Sequence, residues 1–277
     1  MNMLSLAPTT LPDTPALDYI AAAADAGYDA VGLRFNPSPG LPFHPVLGND
    51  ALVRGVRRML SDTGLKVLEV FSFYLEPETD IESFRPALEL GADLGAAYAM
   101  VMGRDPDWSR TCDNFAAIVD VIEGYGMVPA LEPAVSRPLA SHRLCERLIA
   151  ETGRTGAAIC VDQLNLCRAG EGAADLAAMD PARFPFAQLT DGHLDPGPFD
   201  PAMVGHMGPT RRALLGEGDL PLAEILDALP HGIPLSVETP ISIGIDKGLA
   251  PDAATWAKIS LENAREFLAA YEAGRVA

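Results

Sequence analysis

The sequence predicts a (β/α)8 barrel, an α/β fold in which eight parallel strands alternate with eight helices. Short apolar segments of strand length alternate with amphipathic segments of helical period along the chain, and there are eight of each. No Gly-rich G-x-G-x-x-G turn follows the first apolar segment, which disfavours an open doubly wound sheet. Barrels of this kind routinely span about 250 residues as one unit. We therefore expect a single domain over residues 1–277.

The strands are predicted from their length and their content of aliphatic and aromatic residues. They are expected at residues 2–7, 30–35, 65–73, 96–102, 126–133, 157–163, 186–191 and 233–240. In the first helix, Asp13-Thr14-Pro15 offers a capping side chain before an early helical proline, and Gly27 is a typical end. The other helices are expected near residues 48–63, 80–94, 112–124, 139–152, 173–179, 219–228 and 252–273.

One long irregular segment, 191–216, follows the seventh predicted strand. It is rich in glycine and proline and would lie at the C-terminal face of the barrel, where such enzymes place their chemistry. Structureless loops of this length in compact domains are usually functional. The segment is therefore a candidate lid.

The composition restricts the class of partner. The net charge of −18 disfavours nucleic acid and anionic membrane surfaces, which attract basic proteins. No segment approaches the ~20 apolar residues of a membrane span, and no signal peptide is recognisable at the N-terminus. The four cysteines form no C-x-x-C pair. We expect a cytoplasmic protein with reduced thiols whose partner is a small-molecule substrate.

Four consecutive predicted strands end in an oxygen donor that could bind a metal ion: Glu132, Asp162, Gln188 and Glu238. Alternation along a strand allows all four to point into the barrel mouth together. Buried carboxylates around one point repel one another unless a cation lies between them. Any one of these residues alone would more often be a satisfied polar residue or a surface carboxylate, but four on successive strands favour a metal site. An oxygen-only set suits Mg²⁺ or Mn²⁺ better than zinc.

The motifs around these residues are LEP at 131–133, VDQLN at 161–165, AQLTD at 187–191, RALLGEGDLPL at 212–222 and LSVETP at 235–240. With them, nearly the whole chain resembles the sugar phosphate isomerase/epimerase family of xylose-isomerase-like barrels. The resemblance implies one divalent ion, Mn²⁺ or Mg²⁺ with Co²⁺ or Zn²⁺ as alternatives, held by Glu132, Asp162, Gln188 and Glu238. It also implies a homo-oligomer. The glutamine ligand is similar to the hydroxypyruvate isomerase and 3-dehydroshikimate dehydratase branches.

The chain departs from the family pattern at one informative position. Asn165 stands where many relatives carry a histidine three residues after the strand-six aspartate. An amide can donate hydrogen bonds but cannot carry a proton near neutral pH. Any step that needs that histidine is therefore in doubt here.

The predicted chemistry is proton transfer next to a carbonyl. An ion that chelates two substrate oxygens would stabilise an enediolate, and Glu132 and Glu238 would carry the proton on either side. Return of the proton gives an isomerase or epimerase. Loss of a β-hydroxyl gives the alternative, a lyase of the 3-dehydroshikimate dehydratase kind.

Five further residues are candidates for binding the substrate: Arg212, Asn165, Glu69, Arg34 and His193. The resemblance assigns Arg212 to substrate contact, and Arg34 or Arg104 could help it to pair an acid group. Structural roles for Glu69 and Arg34 are about as plausible, and a lone loop histidine such as His193 is more often solvated. No phosphate-binding loop is present, so a carboxylated or neutral polyol is expected as substrate.

Overall fold

The computed structural model of the protein describes residues 2–195 and 211–276. All eight predicted strands are present, although most are shorter than predicted. They are β1 (Leu4–Leu6), β2 (Ala30–Arg34), β3 (Lys66–Leu75), β4 (Tyr98–Gly103), β5 (Val128–Leu131), β6 (Ala158–Ile159 and Val161–Asp162), β7 (Ala187–Leu189) and β8 (Leu235–Val237).

The strands form a closed parallel barrel. Each pairs with its sequence neighbours, and β8 returns to β1 through the register Leu4↔Leu235. The two ends of the sheet are the two segments of β6, which only Cys160 separates. The predicted barrel is therefore confirmed, and all strand C-termini meet at one mouth.

Every predicted helix is also present, and two short ones were not predicted. The helices are α1 (Ala16–Ala26), α2 (Asp50–Thr63), α3 (Arg85–Asp93), α4 (Trp108–Gly124), α5 (His142–Thr152), α6 (Gln163–Arg168), α7 (Ala173–Ala177), α8 (Leu222–Ala228), α9 (Ser242–Asp246) and α10 (Ala253–Val276). The unpredicted α6 and α9 begin shortly after β6 and β8, and they help to shape the mouth.

The predicted start of the first helix was wrong in its detail. Pro15 itself is the capping residue of α1, and no side chain there bonds a free backbone N–H. Asp13 instead faces His44, with 3.0 Å between Oδ1 and Nε2. Gly27 does end the helix: it has φ 90°, and its N–H donates to carbonyl oxygens of the last turn.

Two apolar layers result from the alternation of side chains along the strands. The larger core lies between the barrel and the helices. The barrel interior is filled by a second cluster: Ala30, Leu68, Phe71, Met100, Met102, Ala130, Ala158, Cys160 and Phe186. This interior cluster closes the barrel below its mouth, so the polar side chains at the strand ends lie above an apolar floor.

A bulge in β3 alters that alternation at Glu69. Between Val31↔Val67 and Leu33↔Val70, β3 has one residue more than β2. As a result Leu68 packs in the interior cluster while Glu69, its neighbour, also reaches inward and accepts a 2.6 Å hydrogen bond from Ser236 on β8. A carboxyl group is thereby buried inside the barrel.

The candidate lid can be described only at its ends. Asp191–Gly192 and Arg212–Ala213 form a short antiparallel pair, and residues 196–210 lie outside the described residues. Among the helices of the described ranges, none has the length and apolar character needed to cross a membrane.

Candidate active site at the barrel mouth

The four predicted ligands are all buried at the mouth. Glu132 and Glu238 follow directly after β5 and β8, whereas Asp162 and Gln188 lie within β6 and β7 and are register partners. Their exposed fractions are between 0% and 7%. Burial of three carboxyl groups in one region requires nearby positive charge.

A guanidinium group supplies part of that charge. Arg212 Nη2 donates to Asp162 Oδ2 at 2.9 Å and lies 3.2 Å from Glu238 Oε1. Its Nη1 donates to the hydroxyl of Thr190. Asp162 and Glu238, on strands separated by β7, therefore share one cationic nitrogen, so these two carboxylates lie close together.

The glycine-rich turn after Arg212 fixes the position of this arginine. Asp191 Oδ2 accepts hydrogen bonds from the N–H groups of Gly216 and Gly218, at 2.9 and 3.0 Å. A Cβ atom on Gly218 would lie 2.1 Å from Asp191 Oδ1 and 2.5 Å from the carbonyl oxygen of Gly192. Only glycine allows this approach. The G-E-G turn thus supports the pair of short strands that carries Arg212.

Asp162 has a second role as the cap of α6. Its Oδ1 accepts a 2.7 Å hydrogen bond from the N–H of Asn165. The contact explains part of the VDQLN motif, because an aspartate at this position satisfies a free helix N–H. The backbone of Asn165 thus contacts the site. That its side chain binds substrate stays a prediction.

Glu132 is held by an arginine that the sequence reasoning missed. Arg137 Nη1 donates to the carbonyl oxygen of Glu132 at 3.1 Å and lies 3.8 Å from Glu132 Oε2. Burial raises the pKa of Glu132, and the nearby Arg137 opposes that rise. Only the turn of the loop after β5 brings the two together, and their spacing of five residues gives no recognisable motif.

Glu238 lies among charged side chains that shift its pKa. Burial raises its pKa, Asp162 and Glu132 add to the rise, and Arg212 opposes it. The nearby hydroxyl of Thr9 lowers the pKa of Glu238 slightly. The distance or angle between this hydroxyl and Glu238 Oε2 is nevertheless outside the range of a hydrogen bond. That oxygen is buried without a partner among the described residues.

The oxygen donors of these four residues are of the kind that divalent ions bind. Besides Glu238 Oε2, the amide oxygen of Gln188 is buried and accepts no hydrogen bond from a described residue. Buried oxygens without a hydrogen bond need an explanation, and a bound ion is one. However, over 2–195 and 211–276 no three His, Cys, Asp or Glu side chains stand close enough together to coordinate an ion, and Arg212 occupies the space between two of the carboxylates. The metal centre therefore stays a prediction.

The other predicted substrate-binding residues are dispersed. Glu69 lies in the interior, where its Oε2 has no hydrogen-bond partner among the described residues, and burial raises its pKa to about 8. Arg34 donates to the carbonyl oxygens of Pro12 and Pro42. His193 lies at the rim, 3.1 Å from Asp219 Oδ2 through its Nδ1.

The family of the chain follows from these findings together with a sequence comparison. The sequence model of the xylose isomerase-like TIM barrel family matches residues 20–267. The chain belongs to that family, which confirms the resemblance to sugar phosphate isomerases and epimerases. No curated protein sequence matches it significantly.

Solved structures show the same fold at low identity. The IolI protein, solved with a bound zinc atom, is 15% identical with a TM-score of 0.73, over 97% of each chain. A D-allulose 3-epimerase from Methylomonas sp. is 16% identical (TM-score 0.69), with 96% of this chain and 98% of that one covered. A probable 3-DHS dehydratase, AsbF from Bacillus anthracis, is 14% identical (TM-score 0.73), with 95% and 98% covered.

One similar structure is longer. It is a fusion of a xylose isomerase-like barrel with a 4-hydroxyphenylpyruvate dioxygenase, and this chain spans 42% of its length at 17% identity and a TM-score of 0.74. These identities establish the fold alone. Several of the similar proteins are enzymes by name.

Proposed function

We propose that the protein is a divalent-metal-dependent isomerase or epimerase of a small hydroxy-carbonyl compound. The observation that carries the proposal is the burial of Glu132, Asp162, Gln188 and Glu238 at the same mouth of the barrel. One oxygen of Gln188 and one of Glu238 have no hydrogen-bond partner among the described residues. Membership of the xylose isomerase-like family, and the epimerases among the similar structures, support it.

The charges at the site favour an added cation. Glu132, Asp162 and Glu238 are buried together with Arg212, while Arg137 lies near Glu132 only. Two guanidinium groups leave one of the three carboxylates without a matching positive charge. A hard divalent ion bound by oxygen donors such as these would polarise a substrate carbonyl and make the adjacent C–H more acidic.

The protein residues have separate tasks in this proposal. Glu238 Oε2, which has no competing hydrogen bond, takes the proton from the carbon next to the carbonyl. Glu132, at the end of β5, returns a proton. Arg212 holds Asp162 and Glu238 in position through its guanidinium N–H groups, and the interior cluster excludes water from below.

The test is exchange of hydrogen with solvent. Candidate ketoses and hydroxy-keto acids are incubated with the enzyme in D₂O, with Mn²⁺ or with a chelator. We expect deuterium at the carbon next to the carbonyl only with Mn²⁺, together with an isomeric product. Exchange that is independent of metal would contradict the proposal, and a conjugated product that absorbs ultraviolet light would replace the isomerase with a lyase.

A further inference from the structure

A tyrosine ring at the mouth lies close to two guanidinium groups. The guanidinium carbons of Arg104 and Arg137 lie 5.4 and 5.8 Å from the centroid of the Tyr74 ring. Tyr74 is the penultimate residue of β3, and its side chain packs against the interior cluster. These three residues, the Tyr74 cluster, therefore combine positive charge with an aromatic face directly above the apolar floor.

The other two arginines expected to bind substrate already hold several protein groups, although Arg34 Nη1 and Arg212 Nε have no partner among the described residues. Arg34 is bound to backbone carbonyl oxygens, and Arg212 is bound to Asp162 and Thr190. By contrast, Arg137 makes a single hydrogen bond within the described residues, to the Glu132 carbonyl, although its side chain is only 19% exposed. Since a guanidinium group has five N–H donors, most of those of Arg137 are available to a ligand.

Arg104 is similarly uncommitted. Its side chain has one ionic contact among the described residues, 3.4 Å to Glu76 Oε1, and both partners are more than a third exposed. Exposed pairs of this kind are weak and exchange readily. Two guanidinium groups near one ring repel each other, and an anion between them would relieve that repulsion.

We propose that Tyr74, Arg104 and Arg137 bind the carboxylate of the substrate, so that the enzyme acts on a sugar acid or related hydroxy acid and not on a neutral sugar. The inference rests on the proposed function, because an ion on Glu132 would take the negative charge that Arg137 now faces at 3.8 Å. Arg137 then needs another anion, and a planar carboxylate matches the guanidinium fork.

Calorimetry with three probes tests this assignment: gluconate, sorbitol and sorbitol 6-phosphate, each with Mn²⁺-loaded and with chelator-treated protein. We expect gluconate to bind about tenfold more tightly than sorbitol. Arg137→Gln and Arg104→Gln should each remove most of this preference while the affinity for sorbitol is unchanged. Arg104 is a surface residue, so its variant keeps the test valid if Arg137→Gln does not fold.

Arg147→Gln is the matched control. Arg147 also lies over an aromatic ring, 4.4 Å from the centroid of Trp108, but on the outer helix α5. Its removal should leave gluconate binding unchanged. Equal binding of gluconate and sorbitol, or a preference that survives in both cluster variants, overturns the assignment. Tighter binding of sorbitol 6-phosphate than of gluconate would show that the Tyr74 cluster binds a phosphate group and not a carboxylate.

The chelator arm separates this inference from the proposed function. If Mn²⁺ does not bind, the proposed function fails. A gluconate preference that Arg137→Gln abolishes in chelator-treated protein would still support the carboxylate site.

Discussion

The two halves of the barrel mouth differ in charge. Where β5 to β8 end, the mouth carries Glu132, Asp162, Gln188 and Glu238, with Arg212 between two of the carboxylates. Where β2 to β4 end, the mouth carries the guanidinium groups of Arg34 and Arg104. Arg104 lies close to the Tyr74 ring and 3.4 Å from a carboxylate oxygen of Glu76. Arg137 reaches from the first half to the second.

This difference indicates a division of labour. The acidic half can hold a cation and move protons, and the basic, aromatic half can bind and orient the rest of a substrate. Changes in the two halves should therefore have different consequences, and the following predictions run from the largest expected effect to the smallest.

The largest effect is expected from Glu238→Gln in the acidic half. Glutamine keeps the shape of the side chain but cannot accept the proton, so turnover should fall by about 10³-fold. Turnover and circular dichroism are measured together, and the fold should be intact. Glu224→Gln on α8 is the control and should be fully active. Retention of more than a tenth of the activity would rule out Glu238 as a proton carrier.

Arg212→Met tests the balance of charge in the same half. Without Arg212, the buried carboxylates of Asp162 and Glu238 lose their positive partner. In metal-free protein, this should lower the free energy of unfolding by about 3–5 kcal/mol. Mn²⁺ should bind about tenfold more tightly, since the competing cation is gone. Urea unfolding with and without Mn²⁺ measures both.

The control for that variant is Arg57→Met, at an exposed pair with Asp93, with an expected change of less than about 1 kcal/mol. Weaker binding of Mn²⁺ to Arg212→Met would show that the guanidinium group supports the ion and does not replace it.

Gly218→Ala tests the turn that positions Arg212. The new Cβ atom would collide with Asp191 and with a backbone carbonyl, so we expect a loss of about 2–3 kcal/mol in the free energy of unfolding. Gly124→Ala, near the end of α4, has nothing within 4 Å of its Cβ position and should be neutral or slightly stabilising. Equal stability of the two variants in thermal unfolding would contradict this account of the turn.

Glu69→Gln tests the carboxyl group buried below both halves. Burial raises its pKa from 4.5 to about 8, so the folded protein binds a proton that the unfolded chain releases between these values. The contribution of Glu69 to stability is thus complete below about pH 4.5 and is lost as the pH rises towards 8.

Glutamine at this position does not titrate. The variant should therefore match the wild type at pH 5 and exceed it at pH 8, by on the order of 2 kcal/mol. Urea unfolding at the two pH values measures the difference. A gap that does not change with pH would show that Glu69 does not titrate in this range.

Much of the fold could be predicted from the sequence because the alternation of strand and helix is strongly periodic. The short helices α6 and α9 were missed since five or six residues give no clear period. The start of α1 was misjudged because Asp13 pairs with His44, a contact that depends on tertiary structure.

The candidate site was predictable where it depends on strand order and not where it depends on local distortion. Glu132, Asp162, Gln188 and Glu238 could be found because each lies at or next to the C-terminal end of a strand. The inward direction of Glu69 depends on a bulge in β3, and no sequence motif marks it. The contact of Arg137 with Glu132 and Tyr74 depends on the path of a loop.

The central claim is that the acidic half binds one divalent ion, and a Mn²⁺ titration followed by the electron paramagnetic resonance of the free ion tests it most directly. The wild type should bind one ion per chain, Asp162→Asn should weaken binding by about 100-fold, and the control Asp175→Asn on α7 should not. Absence of binding to the wild type at millimolar Mn²⁺, or equal binding by Asp162→Asn, would contradict the account.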